Sequence, residues 1–167
     1  RPTRVSAWGS AHVNELVEDV ASLRLDYDTI GVTATLRVSW LAPIKVRQVT
    51  VVGSEKMAVY DDLDENERLK IYDRSVRVGG IGSVHPRQPS YVHGSIVSPF
   101  IETTEPLLME DRDFVESVIE GRQPRADGPK GLAVVEILEA AERSILEQRP
   151  IQLEVVGTGD GAHAAVR

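Results

Sequence analysis

The 167-residue chain contains no cysteine. Disulfides, thiolate catalysis and cysteine-ligated metal sites are thereby excluded, and the composition fits a reducing, cytoplasmic setting. No apolar run approaches the roughly 20 residues that a membrane-spanning helix needs. The opening residues also lack the basic-then-apolar pattern of a secretory leader. Cations are short as well: the net charge of −7 leaves no surplus to meet a phosphate backbone, so nucleic acid is not an expected partner. None of the four histidines, His12, His85, His93 and His163, pairs with another at helical spacing, so no metal is expected. The acidic run at 61–65 lacks the alternating ligands, central glycine and final glutamate of a calcium loop, and reads as a solvated turn. No nucleophile elbow with Ser/His/Asp order supports hydrolase chemistry.

What is present is a run of strands followed by helices. Residues 4–8 read as a strand entered directly from Arg1-Pro2-Thr3, which we take as a segment of a longer polypeptide. Residues 20–27 alternate, with Ala21, Leu23, Leu25 and Tyr27 on one face and Ser22, Arg24 and Asp26 on the other. A turn through Asp28-Thr29-Ile30-Gly31 leads to a return strand. That strand points Val32, Ala34, Leu36, Val38 and Trp40 inward and Thr33, Thr35, Arg37 and Ser39 outward. Further strands are expected over 45–52, 57–60 and around Leu69 and Ile71. Residues 79–89, with three Gly and two Pro, read as a loop, and 91–101 as an extended edge interrupted by Gly94 and Pro99.

Two helices close the pattern. The first opens at Pro106, carries Leu107/Leu108, Phe114/Val115 and Val118/Ile119 on one stripe, and stops at Gly121. In the second, Asp127 is the N-cap and Pro129 lies in the first turn. Leu132, Val135, Leu138, Ala141 and Ile145 form its expected buried stripe. A last strand is expected over 151–156 and a flexible tail over 157–167. The expected class is α+β: an open, predominantly antiparallel β-sheet of about six or seven strands with two or more helices packed on one face. Residues 1–156 form one domain on this reading, its strands from Val5 through Val52 lying in a single layer.

Several pieces of sequence, taken in order, resemble a known family. They are Val17-Glu18-Asp19-Val20-Ala21, Val38-Ser39-Trp40 and Val49-Thr50-Val51-Val52-Gly53-Ser54. They continue with Glu105-Pro106-Leu107, Phe114-Val115, Gly121-Arg122-Gln123-Pro124, and Asp127-Gly128 with Ala140-Ala141-Glu142-Arg143-Ser144. Together they resemble the C-terminal domain of the glucose–fructose oxidoreductase, inositol dehydrogenase and MocA (Gfo/Idh/MocA) family. The resemblance implies a two-part enzyme in which a preceding Rossmann domain binds NAD or NADP. The domain seen here would wall the pocket for a sugar, nucleotide sugar or polyol and form a homodimer or higher homo-oligomer through its sheet. The family's Glu-Lys-Pro segment with its catalytic lysine has no counterpart in this chain. Catalytic residues and a bound cofactor are therefore expected elsewhere, and the fragment alone is not expected to be competent.

Four residues are candidates for the substrate pocket: Lys45 and Arg47 at a strand start, and Tyr91 and His93 after the Gly/Pro-rich loop. The two cations suit a phosphate or carboxylate, with Arg able to bind in bidentate fashion. Tyr91 and His93 suit polyol hydroxyls, and Gly94 would permit close backbone approach. Each also reads plainly as solvated surface. The Gly157-Thr158-Gly159-Asp160-Gly161-Ala162 run matches a dinucleotide fingerprint in letters only, since too few residues follow it for the required helix. The rival reading is a stand-alone, non-catalytic dimerisation or ligand-binding module of the same fold.

Overall fold

The computed structural model describes residues 1–73, 75–78, 89–92, 94–102 and 104–153, with side chains left aside at 75–78 and 89–92. The chain divides into two compact units, 1–43 with 112–167, and 44–111. All pairings among the described strands are antiparallel, as α+β patterning requires.

The first unit is built on β1 (Arg4–Ser10), β2 (Val20–Tyr27) and β3 (Val32–Ser39). In-register pairs such as Val5↔Leu25, Ala7↔Leu23, Leu25↔Ala34 and Leu23↔Leu36 put the alternating apolar residues on one face. The β2–β3 turn closes through Ile30 N–H donating to the Tyr27 carbonyl at 3.1 Å, with Gly31 at φ 65°, where a side chain would be strained. A helix, Gly128–Glu147, covers this face, and the short strand Ile151–Gln152 then returns beside β1.

The core is small and specific: Val5, Leu25, Ala140, Ala141 and Ile151, flanked by Ala7, Leu23, Tyr27, Ala34, Ile137 and Leu153. Each fully buried Val or Leu contributes about 1.5–3 kcal/mol. Ser144 sits in this core, 2% exposed. Its hydroxyl accepts the Ala7 N–H at 2.9 Å and donates to the Arg149 carbonyl at 2.8 Å, tying helix, strand and return turn together.

The expected helix stripe holds at Ala141, which is buried, and at half-buried Ile145, and needs correction nearer the helix N-terminus. Alanines and Ser144 face the sheet, because small side chains let the helix approach β1 closely. Leu132, Val135 and Leu138 are instead 59, 50 and 54% exposed. The same helix contacts β1 and the return strand, so β3 lies beyond its width. Val32, Leu36 and Val38 therefore face the predicted way yet stay 48, 41 and 56% exposed.

The second unit holds β4 (Gln48–Val52), β5 (Met57–Asp61), β6 (Leu69–Tyr72), the hairpin β7 (Ser75–Val78) and β8 (Pro89–Val92), and β9 (Ile96–Val97). Strand order is β4-β5-β6-β9, with β7-β8 as a separate pair. Residues 45–52 thus do not continue the first layer as expected. Leu41 to Arg47, interrupted by Pro43, carries no ladder, and β4 pairs with β5. Gly94 has a packing requirement of its own. A Cβ there would lie against the Asp73 carbonyl and only 2.8 Å from the Asp73 Cβ, where Asp73 N–H donates to the Ser95 carbonyl.

Helix α1 (Pro106–Glu120) begins with the Glu105 carboxylate accepting Leu108 N–H at 2.7 Å. It ends as predicted: Gly121 has φ 66° and Arg122 N–H reaches back to the Ser117 carbonyl at 3.1 Å, the closing bond of a Schellman turn. The helix at Gly128–Glu147, α2 in chain order, has Asp127 accepting Lys130 N–H at 3.0 Å and Pro in its first turn, also as predicted. Its end uses Gln148 at φ 52° before Pro150, a left-handed non-glycine cap that no local pattern announces.

Candidate functional site

Lys45 and Arg47 lie in the irregular stretch leading into β4, and both are exposed. Lys45 has no ion-pair partner among the described residues, whereas Arg47 reaches the Asp62 carboxylate at 3.5 Å. The same carboxylate meets Arg68 at 3.7 Å and accepts the Tyr60 hydroxyl at 3.3 Å, while Asp62 N–H donates to the Arg47 carbonyl at 2.9 Å. Arg47 is therefore partly committed to its own sheet. Next to it, Asp64 is held below the ordinary carboxylate range by the backbone N–H groups of Glu67 and Asn66, while Lys70 is raised by its bond to Glu67. Tyr91 takes its place in β8 opposite Val76, and His93 lies outside the described residues. The four candidates belong to one unit by sequence, but nothing described brings all four to one point.

The first unit holds two polar arrangements that the sequence did not announce. On the face away from α2, Asp26 is 3% exposed although alternation assigns it to the polar side. Arg4 Nη2 and Arg24 Nε donate to its two oxygens at 2.8 and 2.9 Å, and the Thr33 hydroxyl donates at 3.0 Å. Bonds from Arg4 and then Arg24 pull its pKa down to about 2 against the cost of burial. This is a fixed anion in a polar clamp.

The other lies at the opposite end of the β2–β3 pair. Trp40 N–H donates to the Asp19 carbonyl at 2.8 Å, extending the ladder by one residue beyond Val20↔Ser39. Alternation then sets Asp19, Ala21, Val38 and Trp40 on the face that α2 covers farther along. Beyond the helix this corner is open, and a cavity of about 370 Å³ forms there, lined by these four residues with Glu18 and Ser39. Gly9 helps shape it: a Cβ there would fall 2.8 Å from Glu18 Cγ and 3.0 Å from Ile145 Cδ1, so the Glu18 stem lies across β1. Asp19 is 9% exposed; one oxygen accepts His12 and Val13 N–H at 2.7 and 2.8 Å, and the other, Oδ1, is buried without a partner among the described residues. Burial pushes its pKa up, but the two backbone donors prevail and hold it below the ordinary value. The only hints in sequence were a carboxylate pair before one strand and a tryptophan ending its neighbour.

The described residues do not form the Rossmann arrangement for a dinucleotide. It needs a parallel strand leading through glycines into a free helix N-terminus. The described strands are all antiparallel, and both helix N-termini are already occupied by the carboxylates of Glu105 and Asp127. The Gly157–Ala162 fingerprint lies outside the described residues. Among the described residues no group of three or more potential ligands could hold a metal, and no helix is long and apolar enough to cross a membrane.

No family model matches the sequence, and no curated protein matches it. Solved structures do. The UDP-N-acetylglucosamine 3-dehydrogenase GnnA from Acidithiobacillus ferrooxidans superposes with TM-score 0.68 at 20% identity, over 86% of this chain and 40% of its own. An aldose-aldose oxidoreductase from Caulobacter crescentus, complexed with glycerol, gives 0.63 at 18% over 91% and 41%. The WlbA dehydrogenase from Bordetella pertussis, complexed with NADH and UDP-GlcNAcA, gives 0.53 at 18% over 92% and 39%. The chain thus spans about two fifths of the length of these proteins, and its α+β fold is that of the C-terminal domains of such Gfo/Idh/MocA-type oxidoreductases.

Proposed function

We propose that the chain is the substrate-side and dimerisation domain of an NAD(P)-dependent oxidoreductase acting on a sugar, nucleotide sugar or polyol. The observation that carries this is one of proportion. The likeness runs over nearly the whole chain yet leaves about three fifths of each oxidoreductase unmatched. On this reading the unmatched part holds NAD or NADP and the proton-transferring lysine. The present domain then supplies position and exclusion of water.

The described side chains suit that division. Each carboxylate with a displaced proton affinity is displaced towards the ionised form, Asp113 and Asp127 included. Such groups act as fixed charges rather than as acids or bases poised near neutrality. Lys45, Arg47, Tyr91 and His93 are the proposed substrate contacts, the cations for a phosphate or carboxylate and the others for hydroxyls. Pairing of copies would use the open β3 strand, where Val32 and Leu36 are uncovered and Arg37 has no partner among the described residues.

The test is turnover by the complete encoded polypeptide with a panel of sugars and nucleotide sugars, following NAD(P)H at its absorbance maximum. Reduction of the cofactor, weakened in KM by Arg47→Ala, supports the reading. Absence of any NAD(P)-linked activity across the panel, in protein shown to be folded, removes it.

A further inference from the structure

The corner cavity beside Trp40 has a chemistry of its own. Its lining includes two carboxylates, Glu18 and Asp19, and no lysine or arginine. Glu18 is exposed and has no ion-pair partner among the described residues. Asp19 Oδ1 is more demanding: it is itself covered, in a side chain that is 9% exposed, and it has no donor among the described residues. A buried carboxylate short of donors costs free energy that a cation held close by would offset. Asp19 cannot turn away to find one, because its other oxygen holds the backbone of His12 and Val13.

The remaining walls are apolar. Trp40 is 90% exposed and Val38 is 56% exposed, so an indole ring and a valine stand open beside the anions. Ser39 alternates to the opposite face from Val38 and Trp40, where its hydroxyl accepts Leu41 N–H at 3.1 Å, so it does not direct a donor at the ring. An indole attracts cations through its ring face, more strongly than tyrosine or phenylalanine. Anions on one side and an open aromatic ring on another favour the same ligand, one with positive charge and an apolar frame. The volume, about 370 Å³, lies at the small end of ligand pockets and suits a single ring rather than a chain or nucleotide.

We propose that this cavity binds a protonated amine carried on a six-membered ring, with the ammonium on Glu18 beside the buried Asp19 carboxylate and the ring lying on Trp40 and Val38. The site does not depend on the oxidoreductase reading, since every residue in it belongs to the first unit. Its chemistry is shared by an amino sugar and by a plain cycloalkyl amine, and the two are separable by experiment.

Trp8 lies on the opposite face of the sheet, so a Trp8→Phe variant leaves Trp40 as the sole indole reporter. Glucosamine, cyclohexylamine and glucose would each be titrated at pH 7 into this variant, following Trp40 fluorescence. Saturable change with both amines and none with glucose supports the site; a stronger response to glucosamine assigns the natural ligand as an amino sugar. Equal response to glucose and glucosamine overturns the charge argument, and silence with both amines overturns the site. Calorimetry on the Trp8→Phe protein and on Trp40→Leu should show binding about two- to fivefold weaker without the indole. Glu18→Gln should weaken it similarly. Gly9→Ala, which pushes on the Glu18 stem, should act in the same direction while circular dichroism stays unchanged. Full affinity in both Trp40→Leu and Glu18→Gln would place the amine elsewhere.

Discussion

Ser144→Ala isolates one hydroxyl that joins three elements. The substitution removes an oxygen bonded to Ala7 N–H at 2.9 Å and to the Arg149 carbonyl at 2.8 Å, and opens no large cavity. Ala7 lies on β1 past the point where the return strand pairs, since that pairing covers only Arg4 and Val5. No neighbouring strand can therefore take over its N–H. Each orphaned buried group costs about 1–3 kcal/mol, and some water access at the helix end reduces the sum, so a loss of about 2–4 kcal/mol is expected. Both tryptophans, Trp8 and Trp40, fall in the first unit, so intrinsic fluorescence in a urea titration reports that unit selectively. The midpoint should fall with the slope unchanged. Ser144→Cys, of similar size but a weak hydrogen-bonding group, should lie close to alanine. A loss below about 0.5 kcal/mol, typical of an ordinary surface change, would refute the bridging role.

Other outcomes follow from the same geometry. Leu25→Ala, at a core position 7% exposed, should cost about 2–5 kcal/mol in the same titration. Asp26 has a folded pKa of about 2 against 3.8 unperturbed, so the folded state binds its proton less readily than the unfolded state. Its contribution is fully present above about pH 4 and is lost as the pH falls through about 2, and Asp26→Asn should remove that acid-side slope from the stability profile. Gly94→Ala should destabilise the second unit, because the new methyl meets the Asp73 backbone rather than a mobile side-chain tip. Hydrogen exchange of β6 and β9 amides checks it, with faster exchange expected there and unchanged exchange in β1 and β2.

The elements that were legible in sequence are those dictated by local rules. Alternation over β2 and β3, the Gly31 turn, the Asp127 cap and the Gly121 stop each depend on residues a few positions apart, and the structure repeats them. Burial was not legible, because it depends on which element lies above which face. Leu132 and Leu138 look like core in a helical pattern, yet Ala140 and Ser144 face the sheet beside the expected Ala141. Asp26 looks like solvent-facing polarity until Arg4, 22 residues earlier, closes over it. The break between β3 and β4 was legible at Pro43, whereas the pairing of β4 in a separate sheet was not. Of the site, the exposed cations Lys45 and Arg47 were visible as residue types, whereas the Asp19–Trp40 corner required the strand register to bring it together.

The division of labour proposed for this chain is tested most directly by calorimetric titration of the 167-residue protein with NADH and NADPH, beside the complete encoded polypeptide. No heat of binding from this chain, with micromolar binding of one cofactor by the complete polypeptide, is the predicted result. Micromolar binding by this chain alone would contradict it and place the cofactor among the very residues argued here to serve the substrate.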